Sequence, residues 1–387
     1  MYNLPKMFNE YDEARQKGFI KVKDYKEQGR KIVGTFCTYT PKEIIEAAGA
    51  ISVSLCGTSE EPIQDAERDL PRNLCPLIKS SYGFAITDKC PYFYFSDLIV
   101  GETTCDGKKK MYELLGKLKS MYVMQLPQNN KDEESLNLWK KEVIKLKERL
   151  ESEFGVDITI EKLKQAIKLV NEERRAKEEF YGLGKLCPPP MTGLEMQKVL
   201  YGSQFKMDIR ESIENLRELT DKIKKEYESG KTNVSKDAPR ILITGCPIGG
   251  ASEKVIKAIE DNGGVVVCYE NCGGVKATYT KVDEEKDPID AIAEKYLSIP
   301  CSVMSPNEDR LNLILEIIHE YKIDGVVEVI LQACHTYNIE SYSVKKFVTE
   351  EKNTPYISIE TDYSQNDMGQ IGIRVGTFIE MIIEMMS

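Results

Sequence analysis

An α/β protein with two doubly wound parallel sheets and a helical insert is the fold predicted for this chain, and three observations carry that prediction. Short β-branched apolar runs alternate with amphipathic stretches from about residue 30 to residue 127, and again from residue 240 onward. Between them the sequence is charged and Leu-spaced, with few β-branched runs. Cysteines recur at the ends of the apolar runs, where open parallel sheets gather their ligands. The expected organisation is a first α/β domain with a helical lead-in over 1–127, a helical insert over 128–236 and a second α/β domain over 237–387.

The lead-in, polar to about Gly29, offers Phe8, Tyr11 and Phe19 as packing anchors. KIVGTFC reads as a buried strand, and TYTPKEIIEAAG as a helix opened by Thr40 as cap and Pro41 at its first position. AISVSLCG repeats the strand, LPRNLCPLIKSSYG is a loop leading into a short helix, SDLIVGETTCDGKKKMYELLGKL is strand, turn and helix, and MYVMQLP is a further strand. In the insert, Leu163, Ala166, Ile167 and Val170 fall on one helical face, as do Ile209, Ile213, Leu216 and Ile223. Thr192 and Glu195 match a capping box, and the prolines of CPPPM separate two helices. From Arg240 the runs RILITGC, VVVCYENC, DGVVEVILQAC and TPYISIET restore the strand–helix alternation.

The 63 acidic and 53 basic residues leave a net charge of −10, which argues against a nucleic-acid binder and for small-molecule or protein partners. Neither a signal-like start nor an apolar run of membrane-spanning length is visible, so the expectation is a cytoplasmic protein without membrane contact. In a reducing compartment eleven cysteines are not a disulfide framework; they are buried small hydrophobes or ligands for a soft metal.

Cys75, Cys90 and Cys105 lie fifteen residues apart, too far for a local knuckle, so any shared ligand set is assembled by the fold. Cys37, Cys56, Cys105, Cys246, Cys272 and Cys334 all fall at or just after the carboxyl end of a predicted strand, whereas Cys268 lies inside one. With only His319 and His335 present, zinc is poorly served, and an iron–sulfur cluster, which needs only thiolates, fits better. GCPIGGASEK follows a strand and opens a helix but lacks both GxGxxG and GK[ST]. Lys108, Lys109 and Lys110 read as a solvated helix face, since cations at a helix start do not help it.

Five segments, FCTYTPKEIIEAAGA, DLPRNLCPLIKSSYG, TTCDGKKKMYELL, DGVVEVILQACHTY and IETDYSQNDMGQIGIRVGTFIEM, together resemble the 2-hydroxyacyl-CoA dehydratase and benzoyl-CoA reductase superfamily, and within it the double-cubane cluster proteins. The resemblance implies two flavodoxin/Rossmann-like domains with an iron–sulfur cluster in the cleft between them. It also implies electrons from a separate ATP-hydrolysing iron–sulfur activator protein, and a homodimer. Three cysteines hold one [4Fe-4S] cubane in dehydratase-type members, and they match Cys75, Cys105 and Cys334. The double-cubane [8Fe-9S] branch needs six, for which Cys37, Cys272 and Cys301 are the further candidates and Cys56, Cys90 and Cys246 their competitors. Cys187 and Cys268 are assigned to structure, and Glu102, Lys79, Gln332 and His335, near these ligands in sequence, are candidate proton donors.

The function expected is an ATP-dependent reductase component that reduces a small substrate at very low potential. The alternatives are a 2-hydroxyacyl-CoA dehydratase subunit with one cubane, and an electron or cluster carrier without a substrate of its own.

Overall fold

The computed structural model describes residues 13–247 and 249–387; Phe8 and Tyr11 lie outside the described residues. Two four-stranded sheets, all parallel, organise the chain. The first contains β1 (Ile32–Thr35), β2 (Ile51–Ser54), β3 (Leu98–Glu102) and β4 (Met121–Met124) in the order β2-β1-β3-β4. The second contains β5 (Arg240–Gly245), β6 (Val265–Glu270), β7 (Gly325–Leu331) and β8 (Tyr356–Thr361) in the equivalent order β6-β5-β7-β8. Helices run between successive strands, so the fold is α/β with two flavodoxin-like sheets. β3, β5, β6 and β7 are buried along their whole length, which is why they read as continuous apolar runs rather than alternating ones.

In each sheet the chain reverses direction of travel between the first strand and the third, at β1/β3 and at β5/β7. Loops leaving the two strands at such a point diverge and open a crevice. Gly245 ends β5 with φ +105°, and a Cβ there would stand 2.2 Å from the Val329 carbonyl oxygen, so only glycine lets the chain turn off against β7. Ala333, at φ 55°, takes the left-handed conformation in the turn after β7, a strained choice for a residue with a side chain, immediately before Cys334.

The helical region contains the expected stripes. Leu163, Ala166, Ile167 and Val170 are buried on the helix Ile160–Tyr181, and Leu216 and Ile223 on Ile209–Glu228. Thr192 and Glu195 form a full capping box on Gly193–Ser203. Phe19, on the lead-in helix Ala14–Glu27, packs against Tyr92 with ring centroids 5.3 Å apart. The helix after β1 begins at Lys42 with Pro41 in the cap position and no side-chain cap bond. Thr40 is not its cap: the hydroxyl donates instead to the buried carboxylate of Glu102, a stronger acceptor than a solvated helix start offers its own backbone.

One core is built from residues distant in sequence. Val282 to Met304, which follow β6, pack with Val33, Leu98 and Val100 of the first sheet and with Trp139, and the Tyr39 hydroxyl donates to the Ile299 carbonyl at 2.8 Å. Cys301 thereby lies in the core of the first sheet. No helix among the described residues is long and apolar enough to cross a membrane.

Candidate metal centre

Six cysteines stand within three residues of a strand's carboxyl end. Cys37 and Cys56 follow β1 and β2, Cys246 and Cys272 follow β5 and β6, and Cys105 and Cys334 end the loops after β3 and β7. Cys75, Cys105 and Cys334 occupy the cap positions of the helices Pro76–Ile86, Asp106–Leu115 and His335–Lys346, and none of the three sulfurs makes a cap hydrogen bond. Each sulfur sits at the positive end of a helix, where the first-turn N–H groups of Leu77 and Ile78, Lys108 and Tyr337 respectively favour the thiolate. Cys90 caps the helix Pro91–Phe95 and differs in that its sulfur accepts the Phe93 backbone N–H at 3.5 Å.

The thiols fall into two sets by their mutual influence. Cys75 and Cys334 are neighbours; their interaction lowers the Cys334 thiol to about 6 and raises Cys75 well above its ordinary value. Burial raises Cys105, opposed by Lys108, with Cys334 and then Cys301 adding to the rise. In the second set, burial raises Cys37 well above its ordinary value, with Cys272 and Cys301 contributing, and burial raises Cys272 to about 11 with Cys301 beside it. The buried Tyr39 and Tyr337 both face Cys301 and Cys272. Cys246, pushed to about 12 by burial, lies near Cys334 and Cys272. Cys56 donates to the Phe36 carbonyl at 2.9 Å, Cys187 is exposed, and Cys268 is buried within β6. No described cysteine is in a disulfide.

Cys37, Cys56 and Cys272 line a cleft of about 190 Å³. Lys108 also lines it: its ammonium donates to the Phe36 carbonyl at 2.7 Å and lies 4.0 Å from the Cys56 sulfur. Lys109 and Lys110 pair with Asp106 and Glu113 at the surface, so the solvated-face reading holds for them and fails for Lys108. Helix phase turns Lys108 inward, and although burial opposes its charge, Cys56, Tyr112, Cys37 and Cys105 raise its pKa well above the ordinary value.

The candidate proton donors are dispersed. Glu102 is fully buried at the end of β3, raised by burial to about 7, and one of its oxygens has no hydrogen-bond partner among the described residues. Lys79 is held by Glu67 at 2.8 Å and by the Arg72 carbonyl at 2.9 Å. Gln332 and His335 are exposed, and His319 is exposed on its helix.

Among the described residues no three His, Cys, Asp or Glu side chains converge on a single-ion site. A polynuclear cluster makes a different demand, because each thiolate binds its own iron and the ligands stand apart around the cluster. Thiols at helix starts, no histidine among them, and aromatic walls fit that donor chemistry.

Residues 37–382 match the family described as 2-hydroxyglutaryl-CoA dehydratase, D-component. The chain belongs to that family. The matched span begins at Cys37 and includes every cysteine of both sets. Over 380 residues, 98% of this chain and 99% of the relative, it is 56% identical to the protein of Escherichia coli (strain K12) named "Putative dehydratase subunit YjiM". The (R)-phenyllactyl-CoA dehydratase beta subunit of Clostridium sporogenes is 28% identical over 99% of this chain and 100% of its own length. A benzoyl-CoA reductase subunit of Thauera aromatica is 23% identical over 94% of each chain. The dehydratase and reductase subunits of the superfamily are thus its relatives along nearly the whole length.

Proposed function

We propose that this dehydratase-family chain is the cluster-bearing component of an iron–sulfur reductase that acts on a small substrate at very low potential. Cys37, Cys272 and Cys301 would hold one cubane, Cys75, Cys105 and Cys334 the other, of a double-cubane [8Fe-9S] cluster. The observation carrying this reading is the placing of six buried or half-buried thiols in two neighbouring groups, Cys75 and Cys105 around Cys334 and Cys37 and Cys272 around Cys301, with Cys301 within electrostatic reach of Cys105. Bound there, such a cluster supplies single electrons near the lower end of a range reaching about −700 mV.

The chain's own residues bury the centre and set its charge. Tyr39 and Tyr337 wall the second set, Lys108 brings a cation against the thiolates, and Glu102, titrating near 7, can hold or release a proton beside them. Without a Walker motif of its own, the chain would take electrons from an ATP-hydrolysing iron–sulfur activator. A homodimer is proposed as well, and the exposed Ile373, Met381 and Met385 on one side of the helix Met368–Met386 support it. The division into units 1–127, 128–236 and 237–387, and a cytoplasmic location, belong to the same proposal.

A second reading, a 2-hydroxyacyl-CoA dehydratase subunit with one [4Fe-4S] cluster on Cys75, Cys105 and Cys334, is favoured by the dehydratase names of the relatives. Anaerobic iron and acid-labile sulfide analysis of single Cys→Ala variants separates the two. The double-cubane reading expects iron to fall on substitution in either set. If Cys37→Ala, Cys272→Ala and Cys301→Ala keep all of their iron while Cys75→Ala loses it, the single-cubane reading stands. Redox activity with an activator protein but no turnover of any substrate would leave an electron carrier.

A further inference from the structure

The cleft lined by Cys37, Cys56 and Cys272 is lined also by Lys42, Arg174, Lys177 and Lys295. These cations come from three helices, Lys42–Ala47, Ile160–Tyr181 and Pro288–Leu297, and they face two carboxylates, Glu43 and Glu173. Arg174 is fully engaged, pairing with Glu43 at 2.7 Å and donating to Asn171 at 2.9 Å and to the Tyr296 hydroxyl at 3.0 Å. Glu173 is shared by Lys177 at 2.5 Å and Lys42 at 3.8 Å. Lys295 is left over. It is 6% exposed, yet among the described residues its ammonium has no carboxylate or carbonyl within hydrogen-bond reach, and its neighbour is the Tyr296 ring with the centroid 4.2 Å away.

An ammonium on a mostly buried side chain without an anionic partner is costly. Both carboxylates of the group are already taken by other cations. The surplus is positive charge facing a cavity, the arrangement that an anion would complete. At about 190 Å³ the cleft is smaller than the roughly 300–1,000 Å³ typical of sites for drug-sized ligands, so it suits a small acid or a short anionic end.

We propose that Lys295, with Lys42 and Lys177 beside it, forms a subsite for a small oxyanion-bearing substrate, carboxylate or phosphoryl. This rests on the proposed cluster at Cys37 and Cys272, which line the same cleft, and it adds the substrate class. Arg174 is a positioning residue that engages the Glu43 carboxylate and the Tyr296 hydroxyl, leaving the ammonium only the Tyr296 ring. Burial, then Arg174 and Lys42, push Lys295 well below its ordinary pKa while Glu43 opposes them. An arriving anion would offset the repulsion from Arg174 and Lys42 and favour the charged amine.

The test is isothermal titration calorimetry of the anaerobically isolated protein with succinate, inorganic phosphate and neutral succinamide, with iron counted on the same samples. Succinate or phosphate should bind and succinamide should not, and which anion binds tells a carboxylate site from a phosphoryl site. Lys295→Met should weaken binding by about tenfold or more, the loss of one charge-assisted bond, and Lys295→Arg should restore much of it. Binding of neither anion, equal binding of succinamide, or undiminished affinity in Lys295→Met would overturn the proposal. Iron-poor protein that binds an anion leaves the subsite standing and removes the cluster reading; iron-replete protein that binds none does the reverse.

Discussion

Replacing Arg310 by methionine should be among the most damaging single changes in the second half of the chain. The guanidinium is fully buried and donates to Glu328 at 2.9 Å, to the Thr244 hydroxyl at 2.8 Å and to Glu340, with Glu270 at 3.4 Å. Lys276, also fully buried, holds the other oxygen of Glu270 at 2.9 Å, and the Tyr356 hydroxyl donates to Glu328 at 2.6 Å. Removing Arg310 leaves Glu328 buried with only a neutral donor and Glu270 with half its compensation. Breaking a buried pair in this way costs about 3–5 kcal/mol, a large share of the roughly 5–15 kcal/mol that holds a domain folded. The effect should reach the thiols, because the Tyr337 ring lies 4.9 Å from the guanidinium carbon and its hydroxyl accepts from Lys276 at 3.1 Å, while its other neighbours are Cys301 and Cys272. Urea denaturation of the anaerobic protein, followed by circular dichroism, measures the first effect and iron analysis the second. Adding Glu328→Gln should recover part of the stability, since it removes one stranded charge. A loss below about 1 kcal/mol, or a loss that Glu328→Gln leaves unchanged, would refute the account of this network as mutually compensating charge.

Glu102→Gln should stabilise the protein at alkaline pH. Burial raises the carboxyl from 4.5 to about 7, so the folded state holds a proton that the unfolded state releases, and stability falls as pH rises through that window. At about 1.4 kcal/mol per unit, the variant should gain about 3 kcal/mol near pH 8 and almost nothing near pH 4.5. A thermal-unfolding difference that does not grow with pH would contradict it. Lys295→Met should raise the unfolding midpoint, worth about 0.5–2 kcal/mol, because a site kept for binding gives up stability; a lower midpoint would mean that the ammonium has a structural partner. Thr192→Ala should lose about 1 kcal/mol with iron content unchanged, as its hydroxyl accepts from Glu195 N–H at 3.3 Å and the Glu195 carboxylate accepts from Thr192 N–H at 2.9 Å.

The sheets were legible because a strand buried on both faces needs no alternation, so GVVEVIL and RILITG stand out as runs even with Glu328 inside one of them. The cysteines were legible through topology: parallel strands bring their carboxyl ends together, and a cysteine just past such an end is directed to the crevice. What stayed hidden depends on contacts between distant segments. IPCSVM follows β6, and nothing local says that Cys301 packs with the first sheet; that follows from Ile292, Tyr296 and Leu297 burying their helix face against Trp139 and Ile44. Thr40 looked like a helix cap because the alternative acceptor, Glu102, is sixty-two residues away. Lys108 was lost in a run of three lysines, where only the phase of the helix distinguishes the inward one.

Charge and sulfur are therefore read differently from sequence. A cysteine announces itself by rarity and by its place after a strand. A lysine such as Lys295 sits in the ordinary amphipathic helix PIDAIAEKYL, and its meaning arises only when Arg174 has taken Glu43, and Lys177 has taken Glu173. Both kinds of residue still share one constraint. Each thiol set mixes the two halves: Cys75 and Cys105 precede the helical region and Cys334 follows it, while Cys37 precedes it and Cys272 and Cys301 follow. The cations divide likewise, with Lys42 before and Lys295 after. A cleft assembled from both sides of a chain has neither its ligands nor its surplus charge until the halves have docked, so substitutions that loosen the packing of residues 282–304 on the first sheet should lower iron content and anion affinity together.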